Sequence, residues 1–151
     1  MSRYILDTDH VTLFQRNHPQ IVQKVREIDT SNLFVTIVTL EEQLRGRLAV
    51  ISKVNQKPER LAIAYQNLRS TLAYFCNVQL LDFDEAAYDC YQDLLQNLRQ
   101  QKLLVGTQDL KIAAIAIANQ AIVVTRNQKD FSKVPNLPLE DWTVDPSSFF
   151  G

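Results

Sequence analysis

Tyr4-Ile5-Leu6-Asp7-Thr8-Asp9-His10 is the stretch on which the reading of this chain turns. Tyr4, Ile5 and Leu6 form an apolar, strand-favouring run with no turn residue inside it. The run stops abruptly on two carboxylates that flank a hydroxyl. A buried strand that delivers acids at its C-terminal end is how open α/β sheets build ligand sites. The question this poses is which other carboxylates Asp7 meets.

With 151 residues, a hydrophobic share of 46%, three glycines and five prolines, the chain reads as one folded domain over residues 1–151. Lys plus Arg number 16 against 17 acids, a formal net charge of −1. No global basic field draws in a polyanion, so a nucleic-acid partner needs a local cationic patch or a bound metal. Cys76 and Cys90 fit neither a disulfide framework nor a zinc-site spacing and read as buried, reduced packing residues. The N-terminus has no apolar signal core and no run approaches a membrane span, which points to a soluble cytoplasmic protein.

Along the chain, Asp9 is placed to cap a helix reaching about Asn17, and Pro19 to start a second with Ile21, Val22, Val25 and Ile28 on its apolar face. Leu33 to Val38 reads as a second buried strand. Thr39-Leu40-Glu41-Glu42 has the spacing of a capping box opening the next helix. After Pro58, Leu61, Tyr65, Leu68, Leu72 and Phe75 recur at helical steps, so the two helices read as an antiparallel hairpin beside the sheet. Val78 to Leu81 and Ala121 to Thr125 are further strand candidates. Between them lie a helix from Glu85 to Lys102, with Tyr88, Tyr91, Leu95 and Leu98 on one face, and an apolar one capped by Thr107. Arg126 to Asp130 reads as a loop, and the tail from Val134 to Trp142 as an edge strand. Strand–helix alternation argues for an α/β fold, a mostly parallel sheet of about five strands flanked by helices. Right-handed crossovers then bring the strand C-termini to one rim.

Asp7, Glu42, Asp109 and Asp130 can all reach that rim. Two carboxylates ~5 Å apart repel by roughly 3 kcal/mol at an effective dielectric of about 20. Such a cluster therefore needs a cation or retained protons. An all-oxygen ligand set favours Mg²⁺ or Mn²⁺ over zinc, and a metal-activated water attacks a phosphodiester in line. Each acid also has a plainer reading. Glu42 can be the reciprocal half of the capping box, Asp109 a dipole-favoured first-turn acid, Asp130 a loop acid and Asp9 a helix cap. Thr8 and Thr36 are candidates for the hydrogen-bonding shell around a metal. His10 and His18 read as capping or surface residues.

Four segments carry a resemblance. They are Leu6-Asp7-Thr8-Asp9; Thr36-Ile37-Val38-Thr39-Leu40-Glu41-Glu42 with Gly46; Gly106-Thr107-Gln108-Asp109-Leu110-Lys111-Ile112-Ala113-Ala114; and Val124-Thr125-Arg126-Asn127-Gln128-Lys129-Asp130-Phe131, followed by Val134-Pro135 and Leu139-Glu140-Asp141-Trp142. In this order and spacing they resemble the PIN-domain family, in particular the VapC-type toxins of bacterial toxin–antitoxin pairs. The resemblance implies a three-layer PIN-like fold and a metal-dependent endoribonuclease with Asp7, Glu42, Asp109 and Asp130 as its acids. It also implies a cognate VapB-like antitoxin lying across the cleft, and a homodimer. Asp9 stands where the family usually has asparagine, and Asn127 is neutral where some relatives carry an acid. Arg45, Arg47, Lys111, Arg126 and Lys129 are the local cations available to RNA. Two alternatives stay open. One is a haloacid-dehalogenase-like phosphatase using Asp7 as nucleophile, although the chain has no Gly-Asp pair for that family's later acidic loop. The other is a catalytically silent PIN-like binding module.

Overall fold

The computed structural model describes residues 1–145. Its centre is β1 (Arg3–Leu6), paired on one side with β2 (Leu33–Thr36) and on the other with β4 (Ala121–Val124). β3 (Gln79–Leu81) lies outside β2 and β5 (Leu139–Glu140) outside β4, giving the order β3-β2-β1-β4-β5. All four pairings are parallel. Parallel strands need crossovers, and the helices supplying them cover both faces. That explains why β1 and β4 are near-continuous apolar runs rather than alternating ones. One core packs Ile5 and Val123 against α6 (Thr107–Ala118) and α5 (Glu85–Gln101). The other packs Leu6, Val35 and Val124 against α1 (Thr8–Gln15) and α2 (Pro19–Glu27). Ile112 through Ala116 are fully buried, because small side chains let α6 lie close on the sheet and on α5.

α3 (Ile37–Lys53) and α4 (Pro58–Cys76) form the expected hairpin. Several helix starts differ from the sequence reading. Asp7, extended at φ −71° and ψ 173°, is the N-cap of α1, and its Oδ1 accepts from His10 N at 2.8 Å. Asp9 is a first-turn residue instead. Thr36 caps α3 by accepting from Thr39 N at 3.3 Å, so Ile37 and Val38 are helical and Thr39 caps nothing. The N-cap of α6 is Gly106, with Thr107 already helical. Arg126 to Asp130 is only partly a loop, since Asn127 caps a short helix α7 (Gln128–Phe131) that holds Asp130 in its first turn.

Burial also departs from expectation in places. The inward stripe of α4 runs through Ala64, Thr71 and Phe75, leaving Tyr65 and Leu72 exposed. α4 packs chiefly on α3, and that shallow contact needs a narrower stripe than a core helix does. Tyr88 on α5 is exposed as well, the buried line there being Ala87, Leu94 and Leu98. Cys76, at the last position of α4, is exposed and Cys90 half-buried, so neither is the buried thiol expected.

Candidate active site at the sheet rim

Each acid reaches the rim by a different local device. Asp7 is the first residue past β1, held by its cap bond to His10 N and by its own N–H donating to Val124 O at 3.0 Å. It is 5% exposed. Glu42 is six residues after the end of β2, in the second turn of α3. It is not the reciprocal half of a capping box. Its Oε1 accepts from Thr8 Oγ1 at 2.6 Å, and that hydroxyl lies 2.9 Å from Thr39 Oγ1. Thr8 thus ties α1 to α3 directly beside Asp7. Asp109 lies in the first turn of α6 and accepts from Asn127 Nδ2 at 3.2 Å. The same amide group donates to Asp130 Oδ2 at 3.0 Å, while Lys133 Nζ sits 3.3 Å from Asp130 Oδ1.

The fields of these groups overlap. Burial, then the charges of Asp7 and Glu42, push the Asp109 carboxyl up to about 6, with Asp130 adding to the rise and the Asn127 hydrogen bond opposing it. Asp130 moves the other way, held below the ordinary carboxylate range by hydrogen bonds from Asn127 and Lys133. A carboxyl repelled by three others is the electrostatic signature of a cation site. The donor set is all carboxylate oxygen, which fits a hard divalent ion such as Mg²⁺ or Mn²⁺. Among the described residues, the group whose ligand atoms all lie within 4.8 Å of one another is Asp7, Asp9 and His10 rather than the four acids. That trio is a poorer candidate. Arg126 spans both Asp9 oxygens, Nε at 2.7 Å and the NH2 nitrogen at 2.9 Å, and His10 Nε2 already accepts from Trp142 N at 3.3 Å.

His10 is not a surface or capping residue. It is completely buried, its Nδ1 lying 3.3 Å from Asp7 Oδ1 but outside hydrogen-bonding geometry. Nε2 accepts from Trp142 N, and Nδ1 faces Asp7. His18 holds the N-cap position of α2 without a side-chain cap bond, and its Nδ1 is buried without a partner among the described residues. The sequence reading missed Lys133 as well. Its i,i+3 spacing from Asp130 becomes a signal only once that segment is known to be helical.

The cations named for RNA fare differently. Arg45 is an exposed partner of Glu41 at 2.8 Å, and Glu41 is itself held below the ordinary carboxylate range, first by a hydrogen bond from Gln108 of α6. Arg126 is committed to Asp9. Lys129 is exposed and Lys111 half-buried at the edge of the cluster. Arg47 bonds Thr71 Oγ1 through Nε at 2.9 Å. Thr36 serves the backbone of α3 and is fully buried, so of the two threonines only Thr8 touches an acid.

Residues 4–137 match the PIN domain model. The chain belongs to the PIN-domain family. Ribonuclease VapC2 of Rickettsia felis is 31% identical over 141 residues, covering 92% of this chain and 97% of that protein. The tRNA(fMet)-specific endonuclease VapC of Shigella flexneri is 29% identical over 95% of this chain and 100% of its own length. Among solved structures, DNA-bound VapBC from Salmonella typhimurium superposes with a TM-score of 0.77 at 25% identity, covering 94% of this chain and 99% of that one. VapBC2 from Rickettsia felis, bound to a promoter DNA fragment, gives 0.71 at 29%, covering 92% and 98%. The VapC-type resemblance and the three-layer PIN fold expected from the four segments are both borne out. No described helix is long and apolar enough to cross a membrane.

Proposed function

We propose that this PIN-domain chain is a metal-dependent endoribonuclease of the VapC type, cutting RNA phosphodiester bonds at the cluster of Asp7, Glu42, Asp109 and Asp130. The observation that carries the reading is the rise of the Asp109 carboxyl to about 6 under the combined effect of burial and the other three acids. Asp109 of α6 thereby feels Asp7 at the end of β1, Glu42 of α3 and Asp130 of α7. Asp7, Glu42 and Asp109 would hold Mg²⁺ or Mn²⁺, with Asp130 at the edge. A divalent cation bound there offsets the repulsion and supplies a water acidic enough to act as nucleophile near neutral pH.

The chain's own groups set the geometry. The His10 N–H fixes the Asp7 carboxylate through Oδ1. Thr8 holds one oxygen of Glu42, and Asn127 spaces Asp109 from Asp130 by donating to both. Asn127 first, and then Lys133, hold Asp130 below the ordinary carboxylate range. The phosphatase alternative requires Asp9 as acid/base beside Asp7, and here Asp9 is engaged through both oxygens by Arg126. A silent binding module has no need of four acids converging at such electrostatic cost.

We assign to the chain a VapB-like antitoxin, by likeness to relatives solved as VapBC complexes; its place across this cleft and a homodimeric assembly are what the family resemblance implies. The deciding experiment is an RNA cleavage map made with purified wild-type protein and Asp7→Asn side by side in Mg²⁺. Cleavage by the wild type alone is expected. Equal cleavage by both would remove Asp7, and the cluster with it, from the mechanism.

A further inference from the structure

A groove of about 370 Å³ runs between α1 and α3, lined by Thr12, Gln15, Arg16, Gln43, Gly46 and Arg47. It starts where the acid cluster ends. Glu42 is joined to Thr8, the Thr8 carbonyl accepts from Thr12 Oγ1 at 3.1 Å, and Gln43 Nε2 reaches both Thr12 and Gln15. The floor is therefore a hydrogen-bonded continuation of the site. Nothing lies within 4 Å of where a Cβ on Gly46 would point, so the channel stays open past its middle.

Its two cations are Arg47 and Arg16. Arg47 is half-buried, yet among the described residues it has no carboxylate partner. Its Nε donates to Thr71 Oγ1, and that buried hydroxyl donates on to Asn67 O at 2.9 Å. The guanidinium is thus aimed from behind while its charge is left uncompensated. Arg16, at the C-cap of α1, is exposed and likewise has no ion pair among the described residues. A desolvated charge is disfavoured unless an anion arrives to meet it, and a pre-aimed guanidinium fork suits a phosphate better than any point charge.

We propose that the α1–α3 groove carries the sugar–phosphate backbone of single-stranded RNA into the acid cluster, with Arg47 and Arg16 holding phosphates next to the one that is cut. The proposal rests on the ribonuclease reading and gives its substrate a path. The occupant is RNA rather than a peptide because the lining has hydroxyl, amide and guanidinium groups and no apolar anchor pocket of the kind a docked helix needs.

The test uses the Asp7→Asn protein, which cannot consume its ligand, and a fluorescein-labelled single-stranded oligoribonucleotide titrated at several salt concentrations. Arg47→Ala should weaken binding about tenfold and flatten the slope of log affinity against log salt by about 0.7, the value for one lost phosphate contact on a single strand. Arg16→Ala should act in the same direction. Gly46→Glu sets a carboxylate in the open channel without a clash and should weaken binding at least as much, so the test survives even if Arg47→Ala does not fold. Unchanged affinity and slope in all three variants would overturn the proposal. So would variants that lose a VapB-like partner while binding RNA normally. A wild-type protein that cuts no RNA in Mg²⁺ would sink the nuclease reading separately, and the binding result would still decide the groove.

Discussion

Replacing Asp109 by asparagine should make the metal-free protein more stable while destroying its function. The ionised carboxyl is held at an unfavourable place, its pKa raised from 3.8 to about 6. About two units at ~1.4 kcal/mol each is roughly 3 kcal/mol of disfavour at pH 7.5, and partial contact with solvent reduces this to about 2 kcal/mol. The sign follows from linkage. A carboxyl whose folded pKa is raised binds its proton more tightly when folded. Its contribution is most favourable below pH ~4 and is lost as pH rises through about 6. Asparagine keeps the oxygen that accepts from Asn127 and removes the charge. Without metal at pH 7.5, Asp109→Asn should melt roughly 4–8 °C above wild type for a chain of this length. The gap should shrink to about a third by pH 4.5, where the folded carboxyl is protonated, and vanish only below the unfolded value of 3.8. Millimolar Mg²⁺ or Mn²⁺ should raise the wild-type melting temperature and raise that of the variant less. Differential scanning calorimetry in chelator and in Mg²⁺ at both pH values measures all of this. A variant that melts at or below wild type at pH 7.5, or a gap that ignores pH, would refute the electrostatic account of the cluster.

Other outcomes follow from the same geometry. Thr36→Ala removes the α3 cap and should cost about 1 kcal/mol, a drop of roughly 2–4 °C in thermal melting with RNA cleavage largely retained; no drop would mean that α3 is capped otherwise. Thr8→Val deletes the 2.6 Å bond to Glu42 and should lower kcat about tenfold or more at nearly unchanged melting temperature, since the loss is one of positioning. A proportional loss of stability and rate would point to misfolding instead. The pH–rate profile should fall on the acid side with a midpoint at or below about 6, because a bound cation can only lower the Asp109 value from its metal-free position. An acid limb centred above pH 7 would assign the titration to another group.

The parts of the fold legible in the sequence were those written in apolar runs. Tyr4 to Leu6 and Ala121 to Val124 had to be central strands because nothing else buries such segments so short. The helix starts were less legible, since two or three nearby residues could cap each one. Leu33 to Val38 reads as one β-branched run. Only the Thr36 hydroxyl turning onto Thr39 N ends the strand early and makes Ile37 and Val38 helical. Asp7 and Asp9 are equivalent caps on paper, and the extended backbone at Asp7 decides between them. The resemblance names the four acids as a set, whereas nothing in the sequence names the side chains that hold them. Thr8 bonding Glu42, and Asn127 bonding Asp109 together with Asp130, are contacts across long sequence separations with no local pattern. His10 is the extreme case, its ring meeting Trp142 across 132 positions. Nothing near residue 10 announces that burial.

That contact between His10 and the far end of the chain has a consequence for the order in which the rim can close during synthesis. β1 is among the first segments to leave the ribosome, but its neighbour β4, the helical turn carrying Asp130, and Trp142 against His10 all come from the last part of the described chain. A nascent chain that has emerged only as far as α5 holds Asp7 and Glu42 with Asp109 and Asp130 still unmade or in the tunnel. Because the order of the sheet interleaves early and late strands, completion of the acid cluster is postponed nearly to the end of synthesis. The topology therefore delays closure of this rim until the C-terminal strands have been made.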